Sequence, residues 1–243
     1  MTTIECRAPG DAGARTLDTP ARAALFGAHS HLAVWRGRIA RYRPDVAPFV
    51  TLPPVPGPAD WTDLADLVGA GAQTMLPGFA AEVPPDWEVL DDGAGVQMTG
   101  SDVVPAEYAE AVRLGDSDVP EMVALVGGTR PGPFLPRTIE MGTYLGVRRD
   151  GRLVAMAGER VHPPGWTEIS AVCTDPEFRG QGLASRLVLA VAAGIRERGE
   201  TPFLHAAATN VTAIRLYQKL GFRLRRHTRF TTLRAPSTVG TGR

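Results

Sequence analysis

One segment, residues 172–198, restricts the possible folds more than any other part of the chain. A short apolar strand ends near Thr174, and the run Arg179-Gly180-Gln181-Gly182-Leu183-Ala184 then opens a helix that we expect to end at Arg198. That helix has an apolar face whose residues are four positions apart, namely Leu183, Leu187, Val191 and Ile195. A strand, a glycine turn and an amphipathic helix in this order predict an α/β fold.

The glycine run has the chemistry of an anion site. The first amide N–H groups of a helix have no partners within the helix, and the helix dipole adds partial positive charge at the same end. Gly180 and Gly182 lack the Cβ atoms that would hold a phosphate away from the backbone, and Arg179 can add a charged hydrogen bond. The run therefore predicts a pyrophosphate site, with a glycine-rich turn that binds nothing as the alternative.

A second pattern follows in the chain after one intervening strand. Asn210 and Tyr217 are seven residues apart, so they lie two turns apart on one face of a predicted helix. Asn210 is a suitable N-cap, and Gly221 ends the helix before the strand that Phe222 begins. The pattern thus places a polar amide and a phenol together on one helix face.

Taken together, the two patterns resemble the GNAT acetyltransferase superfamily. The motif Arg/Gln-x-x-Gly-x-Gly/Ala of that superfamily is matched by Arg179, Gly182 and Ala184. Its downstream Asn…Tyr…Leu-Gly-Phe pattern is matched by Asn210, Tyr217, Leu220, Gly221 and Phe222. The resemblance covers residues 107–233, and residues 142–146 and 166–170 are most similar to the glycine N-acyltransferase-like branch.

The resemblance implies a GNAT fold, a mixed and mostly antiparallel sheet flanked by helices that splays apart after the cofactor strand. It implies an N-acetyltransferase in which a primary amine directly attacks acetyl-CoA or another short acyl-CoA. Asn210 would contact the pantetheine arm, and Tyr217 would protonate the departing thiolate. The implied cofactor-binding residues are Val172, Cys173, Thr174, Arg179, Gly180, Gln181, Gly182, Leu183, Ala184, Ser185, Asn210 and Tyr217.

An attacking amine must lose a proton, so a carboxylate near the acyl group is expected. Glu168 begins the strand that leads to the glycine run, and it shares a strand face with Ser170 and Val172. Glu159, on the preceding strand, is the rival. Both glutamates stay candidate catalytic bases alongside the acid Tyr217, and a solvated or structural role is the alternative for each.

The first hundred residues carry weaker signals, with six prolines between Pro44 and Pro58. We predict a helix over Pro20 to Leu32, a strand over Trp35 to Arg43, and a strand or hairpin over Trp87 to Met98. Residues 1–106 are predicted to form a smaller N-terminal α/β domain, and residues 107–243 the GNAT domain. Three alternatives stay open for the front domain: a degenerate copy of the same fold, a cap whose residues around Trp35, Arg41 and Tyr42 line the acceptor cleft, or a structural half of one continuous sheet.

Net charge and cysteine content restrict the kinds of partner and metal site that we expect. The formal net charge is zero, which argues against nucleic acid or an anionic membrane as partner. The two cysteines, Cys6 and Cys173, lack metal-type spacing and fit a reducing cytoplasm, and His29 and His31 are interpreted as a surface pair, so no metal site is predicted.

We therefore expect a cytoplasmic monomer or homodimer that acetylates a small-molecule amine or a protein N-terminus. A catalytically silent acyl-CoA sensor or partner-binding module is the alternative function, because a retained motif alone does not establish turnover.

Overall fold

A computed structural model describes residues 16–78 and 82–237, so Cys6 lies outside the described residues. The helices are α1 (Pro20–Leu25), α2 (Pro58–Val68), α3 (Val119–Thr129), α4 (Leu183–Glu197) and α5 (Val211–Lys219). The strands are β1 (Ala33–Arg36), β2 (Ile39–Tyr42), β3 (Val50–Thr51), β4 (Gln73–Pro77), β5 (Glu88–Thr99), β6 (Val112–Arg113), β7 (Tyr144–Arg149), β8 (Arg152–Glu159), β9 (Trp166–Thr174), β10 (Thr201–Ala207) and β11 (Arg223–Arg234).

An eight-stranded sheet with the order β4-β11-β5-β10-β9-β8-β7-β6 organises the molecule. Only the β9–β10 pair is parallel in this sheet, and the other neighbours are antiparallel. A smaller sheet contains β1, β2 and β3. The larger sheet is therefore mixed and mostly antiparallel, as predicted.

Helices cover both faces of the large sheet. In β8, Ala155 and Ala157 belong to the cluster that includes Leu187 of α4, whereas Met156 between them packs with Met122 of α3. Successive side chains of a strand point to opposite faces, so α4 and α3 lie on opposite sides of the sheet. The four-residue stripe of α4 is buried against the sheet, as its periodicity predicts.

The predicted division between residues 106 and 107 does not separate two folding units. β5 lies between β10 and β11, so a strand from the first hundred residues is hydrogen-bonded on both sides to strands from the second part. The front segment also shares hydrophobic clusters with the rest of the chain: Leu25 packs in one cluster with Phe203, and Trp61 in another with Leu233. Among the described residues the front part has no hydrophobic cluster of its own, whereas the second part has one, which includes Met122 and Tyr144.

Two elements of the first hundred residues differ from the prediction, and a third takes one of its two predicted forms. The expected strand over Trp35 to Arg43 is a hairpin, because Gly37 at φ +52° turns the chain between β1 and β2. The segment over Trp87 to Met98, predicted as a strand or a hairpin, is one continuous strand, because β11 pairs with it along its whole length. The first helix ends at Leu25, and a separate 3₁₀ turn covers Ser30–Leu32.

Candidate functional site

The sheet opens between its two parallel strands. β9 and β10 pair only from Trp166–Ile169 with Thr201–Leu204, and beyond this point they separate. A cavity of about 330 Å³, called the main cavity below, lies at this separation. Its walls come from β9, β10, α5, the loop after α3 and the front segment, and they include Pro20, Ala21, Phe49, Met75, Pro77, Arg130, Pro131, Gly132, Pro133, Arg160, Glu168, Ser170, Val172, His205, Ala207, Asn210, Ala213, Tyr217 and Phe230.

A bulge in β9 lies beside the main cavity. Gly158 pairs with Ser170 and Met156 with Cys173, so residues 171 and 172 of β9 oppose the single residue 157 of β8. Ala171 at the bulge has φ +52°, an uncommon value for a residue with a side chain. A bulge leaves backbone groups outside the ladder of hydrogen bonds. We therefore expect backbone groups of the strand to be available to a ligand at the point where it separates from β10.

Tyr217 stands on α5 with its ring against Phe222, at a centroid distance of 5.9 Å. Its side chain lines the main cavity and is 7% exposed. Burial, together with a smaller contribution from the nearby Cys173, raises the pKa of Tyr217 to about 12. The hydroxyl is therefore protonated at neutral pH, and it can act as a hydrogen-bond and proton donor.

Asn210 begins α5 as the sequence predicts. Its side-chain oxygen accepts a hydrogen bond from the amide of Ala213 at 3.1 Å, which caps the helix. The residue is exposed and also lines the main cavity, so its side-chain NH₂ group remains free to contact a ligand. Asn210 and Tyr217 are thus brought to one cavity by the two-turn spacing between them.

The three predicted cofactor residues of β9 separate into two environments. Val172 lines the main cavity and is half-buried. Cys173 is buried on the other side with Met156 and Met122, and burial raises its pKa to about 11, so it is a packed thiol. The Thr174 hydroxyl is buried without a hydrogen-bond partner among the described residues. The alternation of the strand is the physical reason, because neighbouring residues face opposite sides.

The glycine loop, residues 179–185, has the open backbone that the sequence predicts. Gly180 and Gly182 have φ +79° and +74°, and no neighbouring atom lies within 4 Å of a Cβ built on either one. Gly182 is the N-cap of α4, and residues 179–182 are exposed. The side chain of Arg179 donates from Nε to the Thr174 carbonyl at 3.3 Å. The loop does not line the main cavity; it follows β9 in the chain after a 3₁₀ turn over Pro176–Phe178.

Glu168 lines the main cavity but is fully engaged with other side chains. Arg160 donates to it from Nε at 2.8 Å and from Nη2 at 2.7 Å, and His205 donates from Nδ1 at 2.7 Å. Burial by itself would raise the pKa of Glu168, but the charge of Arg160 and these hydrogen bonds outweigh it and hold the pKa well below its usual range. A carboxylate held in this way is a weak base.

The tautomer of His205 follows from its neighbours. The Gln97 oxygen accepts from Arg225 at 2.7 Å, so the Gln97 NH₂ group is the one that faces His205 Nε2 at 3.0 Å. Nε2 must then accept, and Nδ1 carries the proton that bonds Glu168. Arg160, Glu168, His205 and Gln97 form a connected set of hydrogen-bonded side chains, called the polar cluster below.

Glu159 lies apart from the main cavity. It is 2% exposed and accepts from Arg198 of the α4 end at 2.7 Å and from the Thr143 amide at 3.1 Å. It lines a different groove, beside Tyr108 and α4. The two candidate bases are therefore on opposite faces of the sheet, and Glu159 is separated from Tyr217.

The front segment does line the main cavity, but with other residues than expected. Trp35 packs on Phe26 at a 4.4 Å centroid distance, Arg41 donates to the Leu67 carbonyl, and Tyr42 is buried in the core. The wall is made instead by Pro20, Ala21, Phe49, Met75 and Pro77. Long-range contacts bring these residues to the cavity: β4, which carries Met75 and Pro77, pairs with β11, and Phe49 forms a bridge to Met75. Periodicity within the front segment therefore did not indicate them.

Two further features were not identified from the sequence. The loop Arg130-Pro131-Gly132-Pro133 after α3 lines the main cavity, and its dense proline and glycine content was the available signal. His29 is not on the surface: it is 4% exposed, and its Nδ1 lies 2.9 Å from the Tyr42 hydroxyl.

Within residues 16–78 and 82–237, no group of three His, Cys, Asp or Glu is placed to hold a metal, and no helix is long and apolar enough to cross a membrane.

A crystal structure of a putative GNAT-family acetyltransferase from Novosphingobium aromaticivorans is similar over nearly the whole chain. The two proteins are 42% identical, the match covers 91% of this chain and 99% of that one, and the TM-score is 0.83. The chain belongs to the GNAT family. A GCN5-related N-acetyltransferase from Kribbella flavida shares the fold at a TM-score of 0.58 and 20% identity, over 95% of this chain and 98% of that one. The predicted GNAT fold is therefore confirmed.

Sequence comparisons point to the same family. The model of the FR47-like protein family matches residues 144–231, which contain β9, the glycine loop and α5. Mycothiol acetyltransferases from Thermomonospora curvata and Thermobispora bispora are 39% and 40% identical over 82 and 85 residues. These matches cover 33% and 31% of this chain, but only 27% and 28% of those proteins. The chain thus matches about a quarter of the length of these relatives.

Proposed function

We propose that this GNAT-family chain is an N-acetyltransferase that transfers an acyl group from acetyl-CoA to a primary amine. One observation carries the proposal: a protonated tyrosine, Tyr217, lines the cavity that opens between β9 and β10, directly beside a bulged strand. The named acetyltransferases among its relatives support the same activity. The acceptor is a small-molecule amine or a protein N-terminus.

The glycine loop suits the pyrophosphate of CoA. The φ values of Gly180 and Gly182 turn the backbone outward, and no side chain occupies the space that a phosphate would need. The first amides of α4 point into the same space, and the helix dipole favours an anion there. Arg179 is exposed and adds a positive charge. Acetyl-CoA, when bound, supplies a thioester whose carbonyl carbon is open to attack by an amine.

In the proposed reaction the chain orients the two substrates and handles protons. A free amide at the β9 bulge donates to the thioester oxygen, which makes the carbonyl carbon more electrophilic. The amine nitrogen attacks that carbon, the C–N bond forms and the C–S bond breaks. Tyr217 donates its hydroxyl proton to the departing sulfur and recovers a proton from solvent. The surplus proton of the amine leaves to water in the main cavity.

Neither glutamate suits the role of direct base in this proposal. Glu168 is bonded by Arg160 and His205, and its lowered pKa disfavours proton uptake. Glu159 lines a groove on the other face of the sheet. We therefore infer that the acceptor reacts as the neutral amine, and that Glu168 acts by positioning Arg160 and His205.

A time course of free-thiol release tests the function directly. Purified protein with acetyl-CoA should release CoA thiol faster when a primary amine from a panel is added, and mass spectrometry should detect the acetylated amine. Binding of CoA without thiol release for any amine, including amines in a cell lysate, would instead support a silent acyl-CoA sensor. Placement in the glycine N-acyltransferase-like branch remains a proposal that rests on residues 142–146 and 166–170, and acetylation of glycine in the same panel would support it.

A further inference from the structure

The part of the main cavity around Arg160 is called the acceptor end below. Only some of the hydrogen-bond donors of Arg160 are bonded to other protein groups. Arg160 bonds Glu168 through Nε and Nη2, and its guanidinium lies over the ring of Phe49 at 5.0 Å. Its Nη1 atom has no acceptor among the described residues, and the side chain is 13% exposed. Because Arg160 lines the main cavity, the two N–H donors of Nη1 are available to a ligand there.

The charge of the cavity wall favours an anionic ligand. Arg160 and Glu168 balance one another, and Glu168 is the one carboxylate among the residues described as lining the cavity. Arg130, on the loop after α3, also lines the cavity and forms no ion pair with any described residue. The wall therefore carries one net positive charge, and it presents two guanidinium groups suited to a carboxylate.

The rest of this end is apolar. Phe49, Met75 and Phe230 line the cavity together with Pro20 and Pro77. Burial of a ligand's apolar surface against such a wall stabilises the complex. The wall therefore suits a ligand with a hydrocarbon body and one polar group that bonds Arg160.

The length of β9 limits the distance between the reacting amine and the ligand group that bonds Arg160. Glu168, which holds Arg160, and Val172, at the bulge, are four residues apart on β9, or at most roughly 13 Å, because the bulge at residues 171–172 shortens the strand. One hydrogen-bond length of about 3 Å at each end leaves at most roughly 7 Å between the attacking nitrogen and the group that bonds Arg160.

We propose that the acceptor is a primary amine that carries a carboxylate beyond an apolar spacer, and that Arg160 binds this carboxylate with help from Arg130. The inference rests on the proposed function, because it places the amine at the bulge and Tyr217. The carboxylate bonds Arg160 Nη1, the spacer packs on Phe49 and Met75, and the amine is held toward the bulge. Glu168 and His205 hold the guanidinium in place and do not touch the reacting atoms.

A pair of probes tests the proposal: 6-aminohexanoate and its amide, 6-aminohexanamide, which differ only in the charge at the far end. Binding of each to CoA-saturated protein is measured by calorimetry, and acetylation is measured by thiol release. We expect the carboxylate to bind about tenfold more tightly than the amide, the scale of one additional charged hydrogen bond.

Variants test which arginine causes the preference for the carboxylate. Arg160→Lys keeps the positive charge beside Glu168 but removes the planar guanidinium and its paired N–H donors, and it should reduce this preference to about twofold or less. Arg130→Gln changes an exposed side chain and should reduce the same preference without affecting the fold. Arg152→Lys, at a residue that is 54% exposed and outside the cavity lining, is the matched control and should keep the full preference.

The outcomes separate this inference from the proposed function. Equal binding of both probes, or binding of neither, overturns the inference, and so does a preference that survives in both arginine variants. Acetylation of both probes at equal efficiency overturns it while the acetyltransferase function stands. Tighter binding of the carboxylate that depends on Arg160, with no thiol release, supports the site and counts against the acetyltransferase function.

Discussion

The glycine loop and the polar cluster are both suited to charged groups, but they are built from different parts of the chain. The loop uses backbone amides from seven consecutive residues, and its exposed glycines contact little of the protein. The polar cluster uses side chains from positions as distant as 97 and 205, which are almost fully buried. The loop is a local structure that a ligand completes, whereas the members of the cluster already bond one another and leave only Nη1 of Arg160 for a ligand. A change in the loop should therefore affect mainly binding, and a change in the cluster should affect stability as well as acceptor binding.

The largest expected effect is that of Glu168→Gln in the polar cluster. The change leaves Arg160, which is 13% exposed, without a counter-charge, and breaking a buried ion pair costs about 3–5 kcal/mol of unfolding free energy. Urea unfolding at pH 7 measures the loss. Glu159→Gln is the control, because the partner Arg198 is 42% exposed and such a pair contributes about 1 kcal/mol or less. Equal losses in both variants would contradict the distinction between the two glutamates.

The Arg160–Glu168 ion pair also predicts how the free energy of unfolding depends on pH. The fold lowers the pKa of Glu168, so its ionisation stabilises the native state above the unfolded pKa of about 4.3. This contribution decreases as the pH falls below that value toward the native pKa. Wild-type protein should therefore lose stability in acid more steeply than Glu168→Gln, as measured by thermal unfolding between pH 7 and pH 3. Parallel curves for the two proteins would show that Glu168 does not contribute.

The next effect concerns the glycine loop. Gly182→Val forces a branched side chain into a φ of +74° and places it where a phosphate would approach. CoA at 100 times its dissociation constant should stabilise wild-type protein by about 2.7 kcal/mol, and this stabilisation should disappear in the variant. Gly194→Ala, a helical glycine of α4, is the matched control and should retain it. A folded Gly182→Val protein with an unchanged CoA shift would remove the loop from the site.

Tyr217 belongs to neither region, lines the main cavity, and tests the chemical step itself. Tyr217→Phe removes one hydroxyl and keeps the ring against Phe222, so CoA binding and stability should change little. The value of kcat should fall by ~10²-fold, the usual scale for a positioned proton donor. Tyr108→Phe, in the groove on the other face, should leave kcat unchanged. Full activity of Tyr217→Phe would mean that water protonates the sulfur.

The smallest effect is the pH dependence of the rate. The proposed reaction uses the neutral amine without a carboxylate base, so kcat/KM for the acceptor should rise about tenfold per pH unit below the pKa of that amine. An α-amine, with a pKa of about 8, should therefore level off at lower pH than an alkylamine with a pKa near 10. Rates for matched amines between pH 6 and pH 10 measure this. A shared plateau that does not depend on the amine would point to a titrating group of the enzyme.

The sequence alone determined the parts of the site that are local. The strand exit at Thr174, the turns at Gly180 and Gly182, and the cap at Asn210 depend on neighbours a few residues away, so residue type and spacing were enough to predict them. The same periodicity placed Tyr217 on the face of α5 that meets the cavity. The GNAT fold and family followed from these segments and are confirmed.

Only the tertiary structure decided the acceptor end and the role of the front segment. β4 pairs with β11, and Phe49 forms a bridge to Met75 of β4, so this long-range pairing brings both residues to the wall of the main cavity. The pairing of β8 with β9 places Arg160 beside Glu168 and turns Glu159 to the other face. No short-range pattern encodes such contacts, because strand register is set by partners far away in the chain. The ionisation of Glu168, and with it the choice of a base, depends on that register.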